Sequence, residues 1–256
     1  NTTGAHNVSL GQEALLDNTT GSYNVSVGST ALNSNTTAES NTAVGYAAMS
    51  ANTTGAENVG IGQAALYTNT TGNYNVAVGR SALEANTTAH NNTAIGYQSL
   101  TANTTGTNNV AIGNNSLDSN TTGASNVAIG YLTLDASTTA DNNTAVGKSA
   151  LAANTTGAEN TAIGKDSMDS NTTGSSNVAV GTDCLQNNST ASYNTAVGVG
   201  SLGTNSTGAD NTSVGYYALL NSTTASNNVA VGKEALKENT TGAHNVSLGQ
   251  EALLDN

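Results

Sequence analysis

Apolar and polar residues alternate in short bursts along this chain. The stretches NVAVG at 75–79, NTAIG at 92–96 and NVAIG at 126–130 each set β-branched residues two positions apart, a period of two and not of 3.6. The bursts return every seventeen residues, and cutting at that interval yields fifteen units in unbroken register, with Asn256 opening another. A fixed period marks a repeat architecture whose single units cannot bury their own apolar face. Helix–turn–helix repeats need more than about thirty residues per unit, so the pattern predicts one short strand in each.

Numbering the positions of a unit as slots one to seventeen separates fixed from variable sites. Slot seven is always Asn (Asn7, Asn24, Asn41, Asn58 and onward), slot eleven always Gly (Gly11, Gly28, Gly45) and slot three always Thr (Thr3, Thr20). Slot ten is Val, Ile or Leu, slot eight Val or Thr, slot fifteen Leu or Met, and slot fourteen Ala, Ser, Thr or Cys184. Slots eight and ten share one face of a strand, which is expected to turn toward the core. The slot-eleven Gly allows a corner at positive φ, the pair at slots fourteen and fifteen forms a second side, and Asn-Thr-Thr-Gly supplies the return turn.

One unit is thus one coil of an all-β, parallel β-solenoid, and the unbroken register predicts a single continuous array over residues 1–256. At roughly 4.8 Å per coil the stack would be a rod on the order of 70 Å long. Like side chains then stand in columns. Asn at slot seven and Thr at slot three are expected to pass amide and hydroxyl hydrogen bonds along the axis.

Slot nine lies between the two slots assigned to the core and holds only Ala, Ser or Gly, as in Ser9, Ala43 and Gly60. Slot twelve, with Gln12, Arg80, Tyr97 and Lys148, varies as an exposed position does. A strand restricted on both faces is expected to be covered on both, with slot nine against another chain. Aliphatic burial within one coil falls short of the cost of ordering it, which favours such a partner. This assignment predicts that Val180→Asp unstacks the coils while Lys165→Gln changes little.

The absence of Pro, Phe and Trp, with 28 Gly and 9% charged residues, removes the material of an ordinary globular core. Disorder would not keep three apolar slots in register. The net charge of −12 disfavours nucleic acid and anionic membranes, and no apolar run is long enough to span a bilayer.

Candidate chemistry is sparse. GVGSLG at 198–203 satisfies GxGxxG, yet its first Gly is the slot-eleven Gly of every unit and no strand–turn–helix surrounds it. His6, His90, His244 and the lone Cys184 do not compose a zinc site, the Gly-Gly-x-Gly-x-Asp pattern of calcium β-rolls is missing, and the acids are scattered. Neither enzyme activity nor a cofactor nor a metal is expected. Asn-Thr-Thr matches a glycosylation sequon, but sugars one coil apart would crowd, so a hydrogen-bonding column is the favoured role.

Runs such as NVAVGRSAL (75–83), NTAIGYQSL (92–100) and NVAIGYLTL (126–134) resemble the head repeats of YadA-type trimeric autotransporter adhesins. They are closer still to the NTAVGYxAL-NTTG arrays in shafts of phage tail fibres and related bacterial surface proteins. The resemblance covers the whole chain. It implies a left-handed parallel β-roll assembled as a parallel homotrimer through the strands at slots seven to eleven, at a cell or virion surface. The seventeen-residue unit departs from the fourteen typical of adhesin heads. A lone solenoid and a bundle of solenoids satisfy the same pattern.

The function expected is a structural extracellular shaft that extends a distal binding tip. Direct binding of glycans or a host surface by Tyr46, Tyr97, Tyr131 and Tyr216 at slot twelve is the alternative. An ice-binding solenoid is less favoured, since Thr2 and Thr3 should point to opposite faces. Residues 1–17 recur verbatim at 239–255, which predicts a 238-residue superrepeat and a far longer native fibre.

Overall fold

In the computed structural model, which describes residues 1–255, the chain is an all-β parallel solenoid with one three-residue strand per seventeen-residue coil. The coils fall into two units. In residues 1–126, strands β1 (Val8–Leu10), β2 (Val25–Val27), β3 (Thr42–Val44), β4 (Val59–Ile61), β5 (Val76–Val78), β6 (Thr93–Ile95) and β7 (Val110–Ile112) pair in sequence order. In residues 127–256, β8 (Val127–Ile129), β9 (Thr144–Val146), β10 (Thr161–Ile163), β11 (Val178–Val180), β12 (Thr195–Val197), β13 (Thr212–Val214), β14 (Val229–Val231) and β15 (Val246–Leu248) do the same. Every pairing is parallel and offset by one repeat, as in Val76↔Thr93.

Only three residues per coil form a strand, but hydrogen bonds to neighbouring coils run almost all the way round. In the second coil Val25 N donates to Asn41 O at 2.8 Å, Leu32 N to Ala48 O at 3.0 Å and Ser34 N to Ser50 O at 3.0 Å. In the opposite direction Gly28 N donates to Leu10 O and Thr30 N to Gln12 O, both at 2.8 Å. These bonds require tight corners. Gly11 sits at φ 139°, and a Cβ there would collide with the carbonyl oxygen of Gly28. Three further slots, six, thirteen and fifteen, hold positive φ with ordinary side chains, as at Tyr23 (60°), Thr30 (55°) and Leu32 (46°). Each costs on the order of 1 kcal/mol, which the surrounding ladder must offset.

The left-handed conformation at slot fifteen accompanies a side chain turned inward. Leu32, Met49, Leu66 and Leu83 are fully buried, and they are the only large aliphatic side chains their coils bury. Opposite them stand slots nine and fourteen, also fully buried: Ala43, Ala77, Ala31, Ala65. The interior is so thin that a Cβ on Gly60 would lie 2.7 Å from Cγ of Met49. Hydroxyls are admitted to these slots because each reaches a carbonyl across the narrow gap. Ser26 Oγ donates to Ala31 O at 2.7 Å, Ser99 Oγ to Ala111 O at 2.8 Å, and Cys184 Sγ takes the same role toward Ala196 O at 3.2 Å.

The expected facing of the strand is therefore inverted. Slot nine points into the core, where Leu or Met leaves room only for a small residue, and slots eight and ten point outward. Slot nine is not the side offered to another chain. Val180 is half-buried on the outer face while Ala179 is fully enclosed, so the burial argument attached to Val180→Asp belongs one residue earlier. Lys165 is exposed as expected, with its side chain 57% accessible and its ammonium 2.7 Å from Asp166.

Ala179→Asp should cost several kcal/mol, because a carboxylate would replace a methyl enclosed in the core, whereas Val180→Asp on the outer face should keep the wild-type circular dichroism and melt well above Ala179→Asp. Equal melting temperatures for the two variants would contradict the inverted facing. Burial pushes the Cys184 thiol up to about 12 from 9.0. The folded state thus holds this proton more tightly, and that stability is full below pH 9 and lost as pH rises toward 12. Cys184→Ala should show a shallower fall in denaturation midpoint across that alkaline window than wild type, measured by urea titration at each pH.

Candidate functional site

Two features of the coil could serve a function beyond closing the solenoid: the side-chain ladders and the outer face of the sheet. Slot seven is a ladder of buried amides. Asn24 N donates to Asn7 Oδ1 at 2.9 Å, Asn41 N to Asn24 Oδ1 at 3.0 Å and Asn58 N to Asn41 Oδ1 at 3.0 Å. The carboxamide nitrogen of each reaches on to a slot-four carbonyl, as Asn24 Nδ2 does to Ala38 O at 2.8 Å. Only Asn has the short amide that accepts from a backbone N–H on one side and donates to a carbonyl on the other.

A second ladder, the hydrogen-bonding column favoured for Asn-Thr-Thr, lies at slot one within the return turn. Asn35 Nδ2 donates to Asn18 Oδ1 at 2.9 Å and to Ala38 O at 3.2 Å, so the slot-four carbonyl gathers both amide columns. The recurrence of Asn at slot one was the available signal. Where the column continues, as at Asn35, Asn52 and Asn69, the amide is buried with both Nδ2 hydrogens engaged, and there the sequon match offers no free nitrogen to a sugar.

The hydroxyl ladder is displaced by one slot from the expectation. Thr19 Oγ1 donates to Thr36 O at 3.0 Å and Thr53 Oγ1 to Thr70 O at 2.9 Å, all at slot two. Thr3 and Thr20, at slot three, are exposed, and only their backbone N–H groups enter the ladder, donating to Thr19 O and Thr36 O. The bend at slots two and three turns the first hydroxyl along the axis and the second to solvent. A single column of outward hydroxyls results.

The outer face of the sheet carries slots eight and ten. Val76, Val78 and Val110 in the first unit, and Val127, Val146 and Val180 in the second, are half-buried, while Ile61 and Ile163 remain 38% and 40% exposed. Across all units these slots hold only Val, Ile, Leu and Thr, with no charge and no amide. Mixed positions flank the band: slot six (Glu57, Ser40, Asn91, but also Tyr23 and Tyr193) on one side and slot twelve (Gln63, Arg80, Lys148, but also Tyr46 and Val199) on the other. Thr stands at slot eight in six coils, but slot ten is aliphatic throughout, and exposed apolar bands of this kind ordinarily mark contact surfaces.

The slot-twelve tyrosines are exposed, at 61% for Tyr46 and 46% for Tyr216, but they do not converge. Tyr46 and Tyr97 are three coils apart, about 14 Å at the usual strand spacing, and Tyr131 and Tyr216 five coils, about 24 Å. Tyr97 instead takes Arg80 over its ring at 5.8 Å. Tyr216 leans on Tyr217, with centroids 4.0 Å apart, and the hydrogen bond between their hydroxyls holds the Tyr216 proton above the usual phenol range. Among the described residues no group of three His, Cys, Asp or Glu side chains could hold a metal ion, and no helix is long and apolar enough to cross a membrane.

Comparison with protein-family models, with curated proteins and with solved structures yields no match.

Where slot one changes to Ser the amide ladder is interrupted. Ser222 Oγ is buried without a hydrogen-bond partner, and Asn205 Oδ1 turns to Gly208 N at 3.1 Å. Ser222→Asn should rejoin the column between Asn205 and Asn239 and stabilise the chain by about 1 kcal/mol, a rise of a few degrees in melting temperature. A lower melting temperature would show that the slot-one ladder is not a net stabiliser there.

Proposed function

We propose that the chain is a structural, non-catalytic shaft segment of an extracellular fibre on a cell or virion surface. Copies of it assemble through the aliphatic outer faces of their strands. The observation that carries this reading is the composition of slots eight and ten, where every outward side chain is Val, Ile, Leu or Thr. In a lone coil these residues contribute little to the interior, which Leu or Met at slot fifteen already fills.

Side chains that the fold leaves partly exposed and that never carry a charge or an amide are best accounted for by burial in an assembly. The band is two side chains wide. Three such bands turned toward a common axis would cover one another, and the β-branched residues stacked along each band would form an apolar centre between the chains. The resemblance of the repeat to trimeric adhesin heads and tail-fibre shafts supports the same arrangement. A shaft also accounts for the uniformity of the coils and the scarcity of candidate chemistry.

Sedimentation equilibrium of the full chain should give three times its 25.3 kDa mass. The double variant Ile163→Asp, Val180→Asp should sediment as a single chain with an unchanged circular dichroism spectrum. A wild-type protein that remains a single chain at every concentration tested would overturn the assembly.

A further inference from the structure

One coil breaks the repeat at two facing slots at once. Gly200 and Gly203 occupy slots thirteen and sixteen of the twelfth coil, and every other coil has a side chain at both. Their absence opens a cleft of about 270 Å³. It is lined by Asp183, Gln186 and Asn187 of the coil before, by Tyr217 and Leu220 of the coil after, and by Thr204.

The two glycines and the two apolar residues fit one another. A Cβ on Gly200 would collide with the Tyr217 ring, and one on Gly203 would come within 3.1 Å of Leu220 Cδ1. Tyr217 is braced from behind by Tyr216, at 34° between ring planes. The Thr204 hydroxyl donates to Leu220 O at 2.6 Å, which leaves its lone pairs to accept. The lining therefore sets an aromatic ring and an aliphatic side chain beside residues that carry a carboxylate (Asp183), carboxamides (Gln186, Asn187) and a hydroxyl (Thr204).

That combination selects among ligand classes. Asp183 and the net charge of −12 repel phosphates and other anions. A wholly apolar ligand would desolvate the Asp183 carboxylate without pairing it. A neutral sugar ring meets every wall, because its hydroxyls donate to Asp183, accept from Asn187 and donate to Thr204, while its C–H face lies against an aromatic ring.

We propose that this cleft binds a single neutral pyranose. The site lies on the turn segment of the coil and uses none of the outward strand residues, so it holds whether or not copies assemble. It also places sugar recognition at one position in the repeat and not along the row of slot-twelve tyrosines.

Saturation-transfer NMR on the full chain, with the methyl pyranosides of glucose, galactose and mannose each at about 10 mM, suits the roughly millimolar affinity of a single-ring site. Transfer to the ring protons of at least one sugar is expected. It should fall about fivefold or more in Gly203→Leu, which fills the cleft with the side chain slot sixteen carries at Leu16 and Leu220, and in Tyr217→Ser, which slot thirteen accepts at Ser81 and Ser149. Tyr46→Ser should bind as wild type does. No transfer to any of the three sugars, or undiminished transfer in either cleft variant with a wild-type circular dichroism spectrum, would overturn the proposal.

Discussion

The structure depends on one constraint: backbone hydrogen bonds must close onto the coils above and below around almost the entire seventeen-residue circuit. Strand pairing supplies only three residues of that circuit. The rest is met by corners held at positive φ, by the slot-two hydroxyls and by the two amide columns. The lack of Pro in 256 residues follows directly, since a Pro would remove a ladder donor at nearly any slot. The fixed Gly at slot eleven follows as well, because the coil beneath approaches too closely for a Cβ.

A coil so small has room for one large aliphatic side chain. Leu or Met at slot fifteen takes that room, and small residues and amides line the remainder. The interior is then held as much by hydrogen bonds between side chains and carbonyls as by apolar contact, an arrangement that works only when each buried polar group is paired. The larger aliphatic residues are consequently turned out. A solenoid of this kind is closely packed inside yet largely aliphatic on the outer face of its strands, and covering that face is the physical basis of the proposed multi-chain shaft.

Departures from the repeat are informative because so little else varies. Ser222 leaves a buried hydroxyl unpaired where Asn would continue a column, and the paired glycines of the twelfth coil create a cleft between neighbouring side chains. In a repeat protein the consensus builds the scaffold and local exceptions supply distinct sites. The string GVGSLG matters in this second sense. Gly198 is the ordinary corner, whereas Gly200 and Gly203 make space for Tyr217 and Leu220.

The sequence by itself determined the period, the strand at slots eight to ten, the Gly corner and the stacking of Asn at slot seven, because each recurs in phase and follows from local backbone chemistry. It could not assign the faces of the strand. Alternation states that slot nine opposes slots eight and ten, but which set points inward depends on what stands across the interior. Only the tertiary structure decided that, by bringing Leu from slot fifteen, at positive φ, against slot nine. The same holds for the hydroxyl column at slot two and the cleft over Gly200 and Gly203. Each depends on side chains meeting across coils, and the linear order of residues does not encode which way a bend will turn them.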